Sequence, residues 1–184
     1  MTKTSILNID YREAKPDNLF QIYVGMGCFW GAERKFWSVD GVYSTAVGYA
    51  GGKTENPNYE EVCSGVTGHA EVVRVVYDQN VSSLEMILSV FWESHDPTQY
   101  NRQGNDIGTQ YRSIILTDNT DELPIINQTK QKYQETLKAQ SNGVLKTEIG
   151  VLSKFFLAED YHQKYLHKNP NGYCGLKGLN IKYF

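Results

Sequence analysis

The hydrophobic pattern of this chain switches repeatedly between the two-residue period of strands and the 3.6-residue period of helices. That alternation restricts the fold more than any other feature. Residues 20–24, 68–77 and 113–117, rich in β-branched and aromatic side chains, read as strands, and residues 146–150 read as an edge strand. Between them, residues 32–37, 84–93 and 121–139 read as helices. In the second of these, Leu84, Ile87, Leu88, Phe91 and Trp92 recur at helical spacing behind the capping hydroxyls of Ser82 and Ser83. Residues 59–63 read as a short helix, while the Gly- and Tyr-rich residues 47–53 and the span 95–108 read as loops. Strand and helix in turn predict an α/β (α+β) fold: a two-layer sandwich of helices on a mixed β-sheet, with long functional loops and a coil C-terminal tail.

A length of 184 residues at 40% hydrophobic composition suits one sizeable core, so the expectation is a single domain over 1–184, with residues 1–19 as an N-terminal extension. Gly172, Gly175 and Gly178 predict a mobile tail over 167–184. A net charge of −3 gives no electrostatic reason to expect nucleic acid, and no Lys/Arg block suggests a membrane surface. The first 18 residues hold neither a signal-peptide apolar region nor a span, which leads to the expectation of a cytoplasmic protein. Cys28, Cys63 and Cys174 are an odd, sparse set that suits a reducing compartment and catalytic thiols better than a disulfide framework.

Of the three, Cys28 is framed for reactivity. In Gly25-Met26-Gly27-Cys28-Phe29-Trp30-Gly31 it falls between glycines that allow a tight turn and two large aromatics, where a strand gives way to a helix. Backbone N–H groups at a helix N-terminus favour thiolate, so a lowered Cys28 pKa is expected. A second cysteine, Cys174, lies on the glycine-flanked tail. A nucleophilic thiol plus a thiol on a flexible segment implies a two-step redox cycle, in which the first is oxidised and the second resolves it into a disulfide. Cys63, by contrast, reads as a core residue on the buried side of its short helix.

Other chemistries compete for Cys28. A Cys/His hydrolase or acyltransferase would use His69 or His95 as base, although it would have no use for Cys174. A peptide-binding module holding methionine in an aromatic pocket is the non-enzymatic alternative. His69, His95, His162 and His167 show no i,i+4 pairing and no Cys-x-x-Cys is present, so neither a metal nor another cofactor is expected. No G-x-G-x-x-G follows a strand, which disfavours a nicotinamide or flavin enzyme.

Seven blocks in order, Gly27-Cys28-Phe29-Trp30-Gly31, Val47 to Gly52, Asn58 to Val62, Gly68-His69-Ala70-Glu71, His95 to Thr98, Asp106 to Ser113 and Asn169 to Cys174, resemble peptide methionine sulfoxide reductase of the A type. The resemblance runs from about Ile22 to about Gly178. It implies reduction of methionine S-sulfoxide, in proteins and as the free amino acid, as repair of oxidative damage. It further implies Cys28 as nucleophile, Glu71 as acid, Tyr59 and Tyr111 as oxygen-binding phenols, and Asp106 in the substrate site. Phe29 and Trp30 would enclose the methyl group, and Cys174 would recycle Cys28 through a Cys28–Cys174 disulfide reopened by thioredoxin. A monomer is expected. The chemistry is consistent, because sulfoxide oxygen leaves only if protonated, and a carboxyl followed by Val72 and Val73 has a setting in which it could stay protonated.

Overall fold

The computed structural model describes residues 6–140 and 143–184. In chain order the elements are β1 (Phe20–Met26), α1 (Phe29–Phe36), β2 (Val42–Ala50), α2 (Tyr59–Cys63), β3 (Ala70–Tyr77), α3 (Leu84–Ser94), β4 (Arg102–Gln103), β5 (Asp106–Ile107), β6 (Ser113–Thr117), α4 (Leu123–Gln140), β7 (Glu148–Val151), β8 (Phe155–Leu157) and α5 (Tyr165–Lys168). Six strands form one sheet in the order β7-β6-β1-β3-β2-β8, antiparallel except for the parallel β6–β7 pair. The expected mixed sheet with helices is therefore present. Of the N-terminal extension 1–19, residues 1–5 lie outside the described residues.

Strand parity decides which side chains meet the helices. Ile22, Val24 and Met26 of β1 and Val73, Val75 and Tyr77 of β3 join the main core with Phe29, Phe36, Leu84, Ile87, Leu88, Phe91, Trp92, Ile126, Tyr133 and Leu137 from the helices. Val72, Tyr23, Ile114 and Leu116 face the other way, into a smaller cluster with Phe155. Glu71 has the parity of Val73 and Val75, so it points into the helix-covered face. The apolar stripe predicted for α3 is fully buried, and Ser83 caps the helix by accepting from Met86 N at 3.2 Å.

The prediction of a loop over 47–53 fails at its start. Val47 to Ala50 complete β2, and Gly48 marks a close approach, because a Cβ there would overlap the Phe156 carbonyl and the Phe155 ring on β8. β8 itself, three residues long, carries too short a pattern to be read. Within 95–108, β4 and β5 pair as a small hairpin. The core reading of Cys63 is also corrected: it is exposed, since α2 buries only Val62.

A buried polar lock joins α1 to the segment before α5. Lys164 Nζ donates to Glu33 Oε1 at 2.9 Å and to Thr45, and the Lys164 amide donates to Glu33 Oε2 at 2.9 Å. Glu33 is fully buried, and burial pushes the Lys164 ammonium below its ordinary pKa. Replacing Lys164 with methionine strands the Glu33 carboxylate, so thermal or urea unfolding should register a loss of about 3 kcal/mol.

Beyond α5 the tail crosses the surface, and its end is tied down. Ile181 and Tyr183 enter the main core, while Tyr183 N and Lys182 Nζ donate to Glu93 at 2.8 and 2.7 Å.

Candidate active site

Cys28 sits at the N-cap of α1, as the strand-to-helix switch requires. Gly27 before it has φ +99°, a conformation that costs an L side chain dearly, and a Cβ there would also press on Gln103. The turn aims the amide N–H groups of Trp30 and Gly31 at the Cys28 sulfur. They do not prevail. Burial, with the Glu71 and Asp106 carboxyls nearby, raises the Cys28 pKa well above the ordinary thiol value. The expectation of a lowered pKa is therefore corrected: two amide dipoles do not offset the loss of solvent around a thiolate.

Glu71 lies at the start of β3, opposite Tyr49 on β2, and is 1% exposed. One oxygen, Oε2, accepts the Phe29 amide at 2.9 Å, which fixes the carboxyl against the first turn of α1 next to Cys28. Burial raises its pKa to about 8; the Phe29 N–H works against the rise and Asp106 adds to it. At pH 7 this carboxyl is mostly protonated. It can donate a proton, and in that form it exerts no charge repulsion on Cys28.

Two phenols share this environment. Tyr111 stands in the turn between β5 and β6 and Tyr59 opens α2 behind its Asn58 cap. Burial comes first in raising both pKa values, and Glu71 adds to each; Tyr111 also feels Asp106 and Cys28. Both hydroxyls are thus neutral donors. Asp106, on β5, is partly buried and accepts from Tyr173 Oη at 3.2 Å. Tyr59 is held from behind, its amide donating to Glu159 Oε1 at 2.9 Å while Tyr49 Oη donates to Glu159 Oε2 at 2.8 Å.

The aromatics divide. Phe29 is buried and belongs to the main core, its ring tilted against Tyr49 and His162. Trp30 is half-buried, stacks on Tyr165 with ring centroids 3.8 Å apart, and donates its indole N–H to His162 Nδ1 at 3.0 Å. His162 is the residue that sequence reasoning passed over. It is buried, its pKa is lowered by burial, and its ring lies 4.5 Å from the Tyr59 ring and 5.0 Å from that of Phe29. Accepting at Nδ1 requires the Nε2–H tautomer, so one neutral imidazole braces Trp30, Phe29 and Tyr59. A solitary histidine in the sequence gives no signal of that.

The histidines named for a hydrolase are engaged elsewhere. His69 accepts from Gly52 N at Nδ1 and bonds the Thr54 carbonyl through Nε2, while His95 bonds the Phe91 carbonyl and the Ser113 hydroxyl inside the core. Among the described residues no group of three or more His, Cys, Asp or Glu is placed to hold a metal ion. Cys174, from the tail, lies against α1: a Cβ on Gly31 would come within 2.9 Å of its sulfur.

A half-buried cysteine, a protonated carboxyl and two neutral phenols gathered in one place suit reduction of an S–O bond. The sequence model of the family described as peptide methionine sulfoxide reductase matches residues 20–182. The chain belongs to that family. It is 59% identical over 170 residues to the peptide methionine sulfoxide reductase MsrA of Photobacterium profundum, covering 92% of this chain and 81% of that one. Methionine sulfoxide reductase A of Corynebacterium diphtheriae superposes with a TM-score of 0.85 at 43% identity, over 92% of this chain and 82% of the other. Mxr1 from Saccharomyces cerevisiae, solved in complex with Trx2, shares the fold at a TM-score of 0.59 and 20% identity, over 96% and 99% of the two chains. The enzyme is an oxidoreductase that reduces methionine sulfoxide to methionine.

Proposed function

We propose that the site reduces the S epimer of methionine sulfoxide, in proteins and as the free amino acid, with Cys28 as nucleophile and Glu71 as acid. The observation that carries this reading is the buried Glu71 carboxyl, protonated at neutral pH and fixed on the Phe29 amide beside Cys28. Tyr59 and Tyr111 donate to the sulfoxide oxygen, Trp30 and Phe29 enclose the methyl group, and Asp106 contacts the rest of the substrate. As the Cys28 sulfur attacks the sulfoxide sulfur, Glu71 protonates the oxygen, and the proton lost by the thiol restores the acid. The hydroxyl then passes from the substrate sulfur to the Cys28 sulfur as the substrate S–O bond and the transient S–S bond break. Methionine leaves with its sulfur reduced by two electrons, and Cys28, oxidised by two, leaves as sulfenic acid.

The test is a peptide containing methionine sulfoxide of known configuration, reduced with dithiothreitol. Consumption of the S epimer alone supports the reading; equal consumption of both would defeat it. The hydrolase alternative predicts ester or amide turnover without reductant.

The cycle closes when Cys174 condenses with the sulfenic acid to a disulfide, which thioredoxin reopens; the yeast fold relative solved with Trx2 supports that choice of reductant. The protein works as a cytoplasmic monomer, one domain with no resident cofactor, and requires neither nucleic acid nor a membrane. No described helix is long and apolar enough to cross one. Cys174→Ser should still release about one equivalent of methionine per enzyme but fail to turn over with thioredoxin. Mass spectrometry of the wild type after one turnover without reductant should show Cys28 joined to Cys174, and a Cys28–Cys63 bond would assign recycling to the other thiol.

A further inference from the structure

The tail is tied to the site by a side chain that the reaction as derived does not use. Tyr173 Oη donates to Asp106 Oδ1 at 3.2 Å, linking the tail to the hairpin of β4 and β5. Its neighbour Cys174 rests on the first turn of α1, where Gly31 leaves space: a Cβ would stand 2.9 Å from the Cys174 sulfur and 3.2 Å from Leu176 Cβ. Gly31 follows Cys28 by three residues, so it lies on the same side of the helix start as the nucleophile. Tyr173 reaches Asp106 only because its ring folds back across Gly175, where a Cβ would overlap the phenol hydroxyl. Hydroxyl, carboxylate and glycine together set where this part of the tail lies on the domain.

We propose that Tyr173 is a positioning residue for recycling: its hydrogen bond to Asp106 holds Cys174 against α1, within reach of the oxidised Cys28. This rests on the reading of Cys174 as the recycling thiol. In the step served, the Cys174 sulfur attacks the Cys28 sulfur, the S–O bond of the sulfenic acid breaks as the S–S bond forms, and the thiol proton leaves with the hydroxide as water. Cys174 sulfur is oxidised and Cys28 sulfur is reduced, so no outside oxidant is needed. A tethered thiol already has a raised local concentration, and the clamp adds orientation to it.

Because Asp106 is also assigned to substrate, its variants would disturb both halves of the cycle; Tyr173 isolates the second. The full chain is mixed with a methionine sulfoxide peptide without reductant and quenched at intervals, reading methionine released, sulfenic acid trapped by dimedone, and the Cys28–Cys174 disulfide. Tyr173→Phe should release methionine within twofold of the wild-type rate yet form the disulfide about tenfold more slowly, the effect of losing a partly exposed hydrogen bond to a carboxylate. Trapped sulfenic acid should rise accordingly. Gly175→Ala, which drives the phenol off Asp106, should slow the same step. An unchanged disulfide rate in Tyr173→Phe overturns the clamp whatever Gly175→Ala does, and a parallel loss of methionine release overturns it by placing the hydroxyl on substrate. If the wild type itself forms no Cys28–Cys174 disulfide, the recycling role of Cys174 has failed instead.

Discussion

Cys28→Ser should abolish sulfoxide reduction, with no methionine released in a single turnover, while Cys63→Ser keeps the chemical step close to the wild-type rate. The two thiols differ in burial and in backbone setting. Cys28 receives the Trp30 and Gly31 amides at the N-terminus of α1 and lies beside the Glu71 carboxyl. Cys63, at the exposed end of α2, meets the Tyr59 phenol one helical turn back and also feels the Glu71 and Glu159 carboxyls, but it sits at no helix N-terminus. Serine in place of Cys28 retains the turn and its hydrogen bonds, but an alkoxide there would be far harder to form than the thiolate, and oxygen has no sulfenic state to receive the transferred oxygen. The check is quenched single-turnover methionine release, with far-UV circular dichroism confirming the fold. Inactivity of a folded Cys63→Ser would make that thiol a participant and revise the pocket around Tyr59.

The raised Cys28 pKa changes how the proposed nucleophile is understood. A lone helix N-terminus in water would lower it, and that was all the local sequence could express. The carboxyls of Glu71 and Asp106 arrive from residues 43 and 78 positions further along the chain. Solvent exclusion is likewise a property of the assembled fold. The same distinction runs through the rest of the molecule. α3 is legible because five apolar residues at helical spacing are buried together, and β3 because its strand is long and β-branched. The end of β2 was hidden because Gly48 carries a turn signal, whereas its purpose is the approach of Phe155 and Phe156 from over a hundred residues away. The positive φ of Lys164, which lets its amide and ammonium both reach Glu33, and the bracing of Trp30 by His162 depend on contacts more than 100 residues distant. The proposed site residues come from motif resemblance alone; the pKa directions of Cys28 and Glu71 come only from the assembled fold.

Glu71→Gln should slow the reductase step by roughly 10²–10⁴-fold, or about 2.7–5.5 kcal/mol, because it removes the proton donor and little else. Glutamine keeps an oxygen to accept the Phe29 amide, so α1 and the Cys28 turn should stay in place and Cys28 should remain open to alkylation. The pH profile separates a proton donor from a packing residue. With its pKa raised by burial to about 8, Glu71 is protonated below that value, so the wild-type single-turnover rate should hold through neutrality and fall as pH rises through about 8. The Glu71→Gln substitution should remove that alkaline limb along with most of the rate. Stability moves in the same direction: the native state keeps the Glu71 proton where the unfolded chain, with an ordinary carboxyl near 4.5, has lost it, so this residue's contribution is fully present below about 4.5 and declines as pH rises through about 8. Denaturant midpoints across that window should show the decline in the wild type and not in Glu71→Gln. A glutamine variant with near wild-type rate at pH 7 would remove Glu71 from the chemistry and leave the oxygen to Tyr59 and Tyr111, whose neutral hydroxyls could stabilise developing charge but would then have to supply the proton as well.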